Sequence, residues 1–300
     1  MNNFIEYFYN IKVDKVTYNN KYYSFFYNGY IYRLYVYDTN YNDSKFLYEI
    51  NRQLLLNTLT SEIIINKNNE IVSSYNGISY ILLKIFINVN KSISLEEISF
   101  LSRTLYKDKS NIDWGILWSN KIDYLEDLIN ENGKKYPLIV DSFNYFVGMA
   151  ENAISYFNSI IIDNNYKYVV SHKTIRWDDT VEVLYNPLNI TFDYRVRDIA
   201  EYIKNSFFNN NSNIFNELVI YLRKNYLSIV EVKLLISRLL YPSFYFEMYE
   251  DILINNKEEK IILNIISRLD QYEDYLSNII DFFKSKYAID EIEWLKKRRY

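Results

Sequence analysis

The chain has no cysteine, one histidine, five glycines, three prolines and only four alanines among its 300 residues. Without cysteine there are no disulfides, thiolate metal sites or cysteine nucleophiles, and a single imidazole cannot form a histidine cluster for zinc. Five scattered glycines make neither a Walker loop nor a Rossmann fingerprint. Neither sign of charge dominates: 34 Lys and Arg stand against 38 Asp and Glu, a net charge of −4. With no basic stripe to release counterions, a dedicated DNA or RNA binder is disfavoured. Long hydrophobic runs are also missing. The most apolar stretch, Tyr80 to Val89, is interrupted by Lys84 and is too short to span a bilayer. Met1 to Asn10 lacks the basic and apolar regions of a signal peptide. The expectation is a soluble cytoplasmic protein with no nucleic-acid partner and no membrane partner.

What is abundant is Ile (41), Asn (38), Tyr (33) and Phe (18). These residues have AT-rich codons and the scarce ones GC-rich codons, so the composition reads as genomic drift rather than a selected aromatic surface. At 49% apolar and 18% aromatic, the chain can fill a large core and is neither collagen-like nor disordered.

The first ninety residues read mainly as strands. Tyr22 to Tyr27 and Tyr30 to Tyr37 flank Asn28-Gly29, a strong hairpin signal, and a strand over Val13 to Tyr18 precedes them through Asn19-Asn20. Asp43 or Ser44 can cap a helix to about Leu56, with Phe46, Leu47, Ile50 and Leu54 at helical spacing. Strands at Glu62 to Ile65, Ile71 to Tyr75 and Ile78 to Ile87 follow, the last two joined by Asn76-Gly77.

Helical periodicity takes over after about residue 92. Ser94 and Glu97 form a capping-box pattern opening a helix to about Tyr106. Trp118, Ile122, Leu125 and Ile129 mark a second helix, with Gly133 placed for a left-handed cap. Pro137 precedes a third, to about Ile160, in which Gly148, Ala150 and Ala153 offer room for close approach. Short strands and Pro187 interrupt the run over 166–192, and helices are predicted again from 196 to 298. The order implies an α+β, bilobal, protein-kinase-like fold: a small antiparallel β lobe with one helix (1–90), then a large mainly helical lobe (91–300), with nucleotide between them.

Four segments carry a family resemblance: Tyr145 to Ile154, Arg195 to Lys204, Leu240 to Phe246, and Ile292 to Lys296. They resemble the spore-coat kinase-like proteins of the CotS and YutH type, which belong with the aminoglycoside and choline phosphotransferases. Phosphoryl transfer in such a fold needs carboxylate and amide oxygens for the metal, a carboxylate to orient the acceptor, and a cation on the phosphates.

By this resemblance, the nucleotide-gripping cation falls at Arg33, where an active relative has Lys, with Glu49 as its ion-pair partner. An arginine fork does not duplicate an ammonium point charge. The catalytic loop falls at Ser171 to Thr174. His172 matches the family's His, but Thr174 stands where the acceptor-orienting Asp is expected and cannot act as a carboxylate base. Asp179 falls at the expected Asn. The metal-binding Asp maps to Asn186, twelve residues before Asp198, with Asp178 and Asp193 as nearby substitutes; a neutral amide weakens a magnesium site. Asp198 reads as structural. The resemblance therefore implies a pseudokinase that acts as a binding or assembly protein, with a spore-coat or other protein partner and possible association with the spore. The alternative is an atypical phosphotransferase using ATP and Mg2+ to phosphorylate an alcohol on a small molecule.

Overall fold

The computed structural model describes residues 1–19, 21–38, 44–57, 61–86, 91–107, 112–176 and 178–296. It begins with a helix that the strand reading of this region did not include, α1 (Asn2–Tyr9). Phe4, Ile5 and Tyr9 form its buried stripe, and Asn10 ends it in the left-handed conformation, φ 54°.

A mixed-length antiparallel sheet follows, with β1 (Thr17–Tyr18), β2 (Tyr22–Tyr27), β3 (Tyr30–Val36), β4 (Ser61–Ile64), β5 (Ser73–Tyr75) and β6 (Ile78–Ile85). Its order is β1-β2-β3-β6-β4, with β5 also paired to β6. Both Asn-Gly pairs form tight hairpins: φ is 46° and 83° at Asn28 and Gly29, and 52° and 77° at Asn76 and Gly77. The helix α2 (Ser44–Asn57) connects β3 to β4; the expected caps and turns at Asp43 and Asn20 lie outside the described residues.

Alternation sorts the strands into two faces. Phe25, Tyr32, Leu34, Tyr80 and Leu82 pack against α1, whereas Ile63, Ile81, Leu83 and Ile85 pack with Leu47 of α2. The strand expected over Val13 to Tyr18 is only two residues long, because Val13 is drawn instead into the cluster around α1.

Residues 91–93 connect the lobes and pair with the later segment 179–181. Val181 N–H donates to the Lys91 carbonyl at 2.8 Å and Ile93 N–H to the Asp179 carbonyl at 3.1 Å. Next comes α3 (Leu95–Leu101), where Ser94 caps the Glu97 N–H, half of the expected capping box, while the Glu97 carboxylate turns to Lys91 and Tyr185; the helix stops earlier than expected because Tyr106–Lys107 forms β7. The helices α4 (Trp114–Asn132) and α5 (Pro137–Asn158) then pack together. Gly133 is right-handed, φ −55°, and continues into a 3-10 turn, so the left-handed cap expected there is not formed.

Close approach occurs at another glycine. An added Cβ at Gly115 would lie 2.5 Å from Asn158 Oδ1, while one at Gly148 would meet nothing within 4 Å.

The strand β8 (Tyr168–His172) is followed by the one-turn helix α6 (Val181–Leu184), a 3-10 turn at Pro187–Asn189, and β9 (Ile190–Asp193). β7, β8 and β9 form a second antiparallel sheet. The remaining helices are α7 (Arg197–Phe208), α8 (Ile214–Lys224), α9 (Ile229–Leu240), α10 (Ser243–Ile254), α11 (Leu263–Ile266), α12 (Leu269–Lys284) and α13 (Glu293–Lys296). The basic residues Lys297, Arg298 and Arg299 lie outside the described residues.

Aromatic rings fill much of the large lobe. Trp118 stacks on Tyr241 with centroids 4.4 Å apart, and Phe146 stacks on Tyr245 at 3.7 Å. Tyrosine hydroxyls within this core donate to backbone carbonyls: Tyr194 to Ile112 (3.0 Å), Tyr249 to Leu125 (3.2 Å), Tyr272 to Leu239 (2.7 Å) and Tyr287 to Leu227 (2.9 Å). Among the described residues, no helix is long and apolar enough to cross a membrane.

Candidate functional site

Arg33 leaves the middle of β3, opposite Ser24 on β2 and Leu83 on β6, on the sheet face that looks toward α6. Below it lies a cleft of about 540 Å³ whose upper wall includes Lys21, Tyr22, Arg33 and Tyr35. Its lower wall includes Thr174, Asp178, Asp179, Glu182, Asn186 and Asn189. A hollow of about 630 Å³ beside α1, lined by Phe4, Tyr7, Phe8 and Tyr75, contains none of the predicted site residues. The interlobe cleft is therefore the candidate site, since it gathers most of them.

The Arg33 guanidinium sits 4.2 Å from the Tyr22 ring centroid and forms an ion pair with Glu182. This corrects the expected Arg33–Glu49 pair: Glu49 is exposed on α2 and does not line the cleft. The reason is geometric. Val181 and Leu184 bury one side of α6 in the large lobe, which presents Glu182 beneath β3. Burial holds the Glu182 carboxyl above its ordinary value, against the smaller opposing pull of Arg33. Burial also raises the Tyr35 hydroxyl well above its usual value, with the Glu182 charge adding to the effect.

His172 ends β8 in full burial. Its Nδ1 lies 2.7 Å from Asp198 Oδ2 and its Nε2 lies 2.9 Å from the Leu184 carbonyl oxygen, while its backbone N–H donates to Asp198 Oδ1 at 3.2 Å. Both ring nitrogens are engaged, so neither is presented to the cleft. Asp198, in the first turn of α7, also receives Arg197 at 3.1 Å. Burial opposes its ionisation, but His172 outweighs that and holds the carboxyl below its ordinary value. The pair fastens the end of β8 to α7.

The residues expected to hold metal do not all meet. Asp178, Asp179 and Asn186 line the cleft, but Asp193 does not. Asp193 Oδ1 accepts from Trp114 Nε1 at 3.0 Å and from Tyr194 N–H at 2.7 Å, and Oδ2 pairs with Arg197 Nε at 3.0 Å. Its carboxyl is raised by burial against the pull of Arg197. The expectation for Asp193 is corrected on this ground: its oxygens are committed to the core of the large lobe.

Two of the other candidates, Asp179 and Asn186, carry local bonds of their own. Asp179 Oδ2 closes a turn by accepting from Arg176 N–H at 2.7 Å, and Asn186 Oδ1 caps the 3-10 turn by accepting from Leu188 N–H at 3.0 Å. Thr174 bonds to Asn189 through its N–H at 3.2 Å. Among the described residues, no group of three or more His, Asp or Glu is arranged to hold a metal ion.

Glu182 is the site residue that the sequence reasoning missed. The available signal was one carboxylate within the otherwise apolar Val181-Glu182-Val183-Leu184.

Behind the site, α7 carries a second ionic cluster. Lys204 Nζ reaches Glu201 Oε1 at 3.0 Å, the carbonyls of Arg238 and Tyr241 at 3.0 and 3.1 Å, and Ser243 Oγ at 2.6 Å. Arg238 Nε joins Glu201 at 2.6 Å while its guanidinium lies 4.9 Å from the Trp114 ring centroid.

Comparison with solved structures shows the fold alone. An aminoglycoside phosphotransferase from Alicyclobacillus acidocaldarius matches with a TM-score of 0.70 at 9% identity, over 92% of this chain and 94% of that one. A spectinomycin phosphotransferase bound to AMP matches with a TM-score of 0.58 at 13% identity, over 93% and 94%. The expected kinase-like α+β fold is thus present. In sequence, the chain is 26% identical over 271 residues to the endospore coat-associated protein YutH of Bacillus subtilis strain 168, covering 79% of this chain and 80% of that protein. The family described as spore coat putative kinase YutH matches residues 2–282, and the chain belongs to that family.

Proposed function

We propose that this protein is a pseudokinase that works as a binding or assembly component of the spore coat. The observation that carries the reading is the spent state of the metal position: Asn186 supplies an amide in place of a carboxylate, and its oxygen caps its own turn. Asp193, the nearby substitute, is held by Trp114, Tyr194 and Arg197. A magnesium nucleotide needs charged oxygens gathered on one side of its phosphates, and this donor set does not fit that need. The cation position is altered as well, since Arg33 is already paired with Glu182. Family membership and the coat association named for the B. subtilis relative support the spore-coat setting.

The test is a thermal-shift titration with MgATP beside an ATP-hydrolysis assay. The expected result is no saturable stabilisation and no turnover above a blank. Stabilisation by several degrees that disappears in Asp179→Asn, together with turnover, would establish the atypical phosphotransferase instead.

A further inference from the structure

Arg33 and Glu182 come from opposite walls of the cleft, and their side chains retain only 14% and 7% of their exposure. A guanidinium stacked on an aromatic ring, as Arg33 is on Tyr22, is preorganised to grip phosphate or carboxylate oxygens. Its Nε is buried and has no hydrogen-bond partner among the described residues, so the fork retains a donor beyond the ion pair. Lys21 lines the same cleft. The anion in this grip is a side chain of the protein itself.

The backbone around Glu182 is fastened on three sides. Val181 N–H is bonded to the Lys91 carbonyl at 2.8 Å. The Leu184 carbonyl oxygen lies 2.9 Å from His172 Nε2. Ser61 Oγ, on β4, donates to the Tyr185 carbonyl at 2.7 Å. The carboxylate therefore sits on a backbone tied to the linker, the large lobe and the small lobe. These ties hold the Glu182 backbone beneath Arg33 independently of the ion pair.

We propose that Glu182 is a built-in occupant of the Arg33 anion grip, an autoinhibitory contact that excludes phosphate-bearing ligands from Arg33 until it is broken. This deepens the pseudokinase reading, because it concerns the same cleft and has the Arg33 guanidinium paired before any phosphate arrives. Like charge beside an incoming phosphate adds repulsion to the loss of the pair.

The experiment compares the unaltered chain with Glu182→Gln by calorimetric titration with inorganic tripolyphosphate in the presence of EDTA. Glu182→Gln is expected to bind at least about tenfold more tightly than the unaltered chain, and the gain is expected to vanish in the double variant Arg33→Met/Glu182→Gln. A folded Glu182→Gln protein with no gain overturns the proposal, as does a gain that survives loss of Arg33. If Glu182→Gln fails to fold, the exchanged pair Arg33→Glu/Glu182→Arg decides: a melting temperature above that of Arg33→Glu alone supports the contact, and no recovery overturns it. Hydrolysis of MgATP by the unaltered chain overturns the pseudokinase reading instead, so the two failures are distinguishable.

Discussion

Replacing Lys204 with Met removes an ammonium group from a fully buried site while nearly preserving the length of its stem. Pro242 explains why that ammonium is needed. In α9 the Arg238 carbonyl would accept from residue 242, but proline has no N–H, and Lys204 Nζ supplies the donor at 3.0 Å. The same ammonium bonds to Glu201, Tyr241 and Ser243. Breaking a buried ion pair from one side costs about 3–5 kcal/mol. Arg238 still holds Glu201, which favours the lower end, about 3 kcal/mol. An orphaned carbonyl adds about 1 kcal/mol, for a total of about 4. At roughly 2.1 cal/mol/K per residue, the unfolding entropy of this chain is about 0.6 kcal/mol/K, so the expected loss in Tm is about 6 °C. Scanning calorimetry of Lys204→Met at neutral pH measures it directly. A loss smaller than about 2 °C would refute the assignment of Lys204 as both counter-ion and cap.

Two further outcomes follow from burial and packing. Burial opposes ionisation of Glu201, but Lys204 and Arg238 outweigh it and pull the carboxyl from its ordinary 4.5 down to about 2. A carboxyl lowered in the folded state contributes stability that is complete above pH 4.5 and lost as pH falls toward 2. The Tm gap between the unaltered chain and Glu201→Gln should therefore narrow across that window in melts monitored by circular dichroism; a gap constant with pH would count against the ion cluster. Gly148→Ala should raise stability by about 0.5–1 kcal/mol, since the position is within α5 and an added Cβ meets nothing within 4 Å. A lowered Tm would show that this face of α5 is more constrained than its packing indicates.

The sequence disclosed what is decided locally. Asn28-Gly29 and Asn76-Gly77 predict hairpins because two successive residues must take positive φ, and the structure has them there. Ser94 caps Glu97 three residues on, for the same local reason. Phe4, Ile5, Phe8 and Tyr9 carried a helical spacing that the strand-rich surroundings masked, and α1 was missed. The pair His172–Asp198 joins two segments that the family motifs singled out, but the choice of Glu182 over Glu49 as the Arg33 partner has no such motif. That choice depends on how α6 packs between the lobes, a tertiary fact with no signature in the spacing of three distant residues. Gly148 and Gly115 teach a related lesson: scarcity makes each glycine conspicuous, yet only the neighbouring chain determines which one is crowded.

The tyrosines of the large lobe have a consequence for how uniquely the helices are set. A greasy seam between two helices tolerates sliding, because one aliphatic contact resembles the next. A hydroxyl that must meet an acceptor in a dry interior has far fewer acceptable positions. Tyr249 meets the Leu125 carbonyl of α4 from α10, and Tyr272 meets the Leu239 carbonyl of α9 from α12. Each bond indexes one helix against another, so a shift by a single turn would strand a phenolic oxygen as well as misplace a ring. A chain with 33 tyrosines and five glycines thereby carries a set of alignment marks where small residues are too few to guide packing.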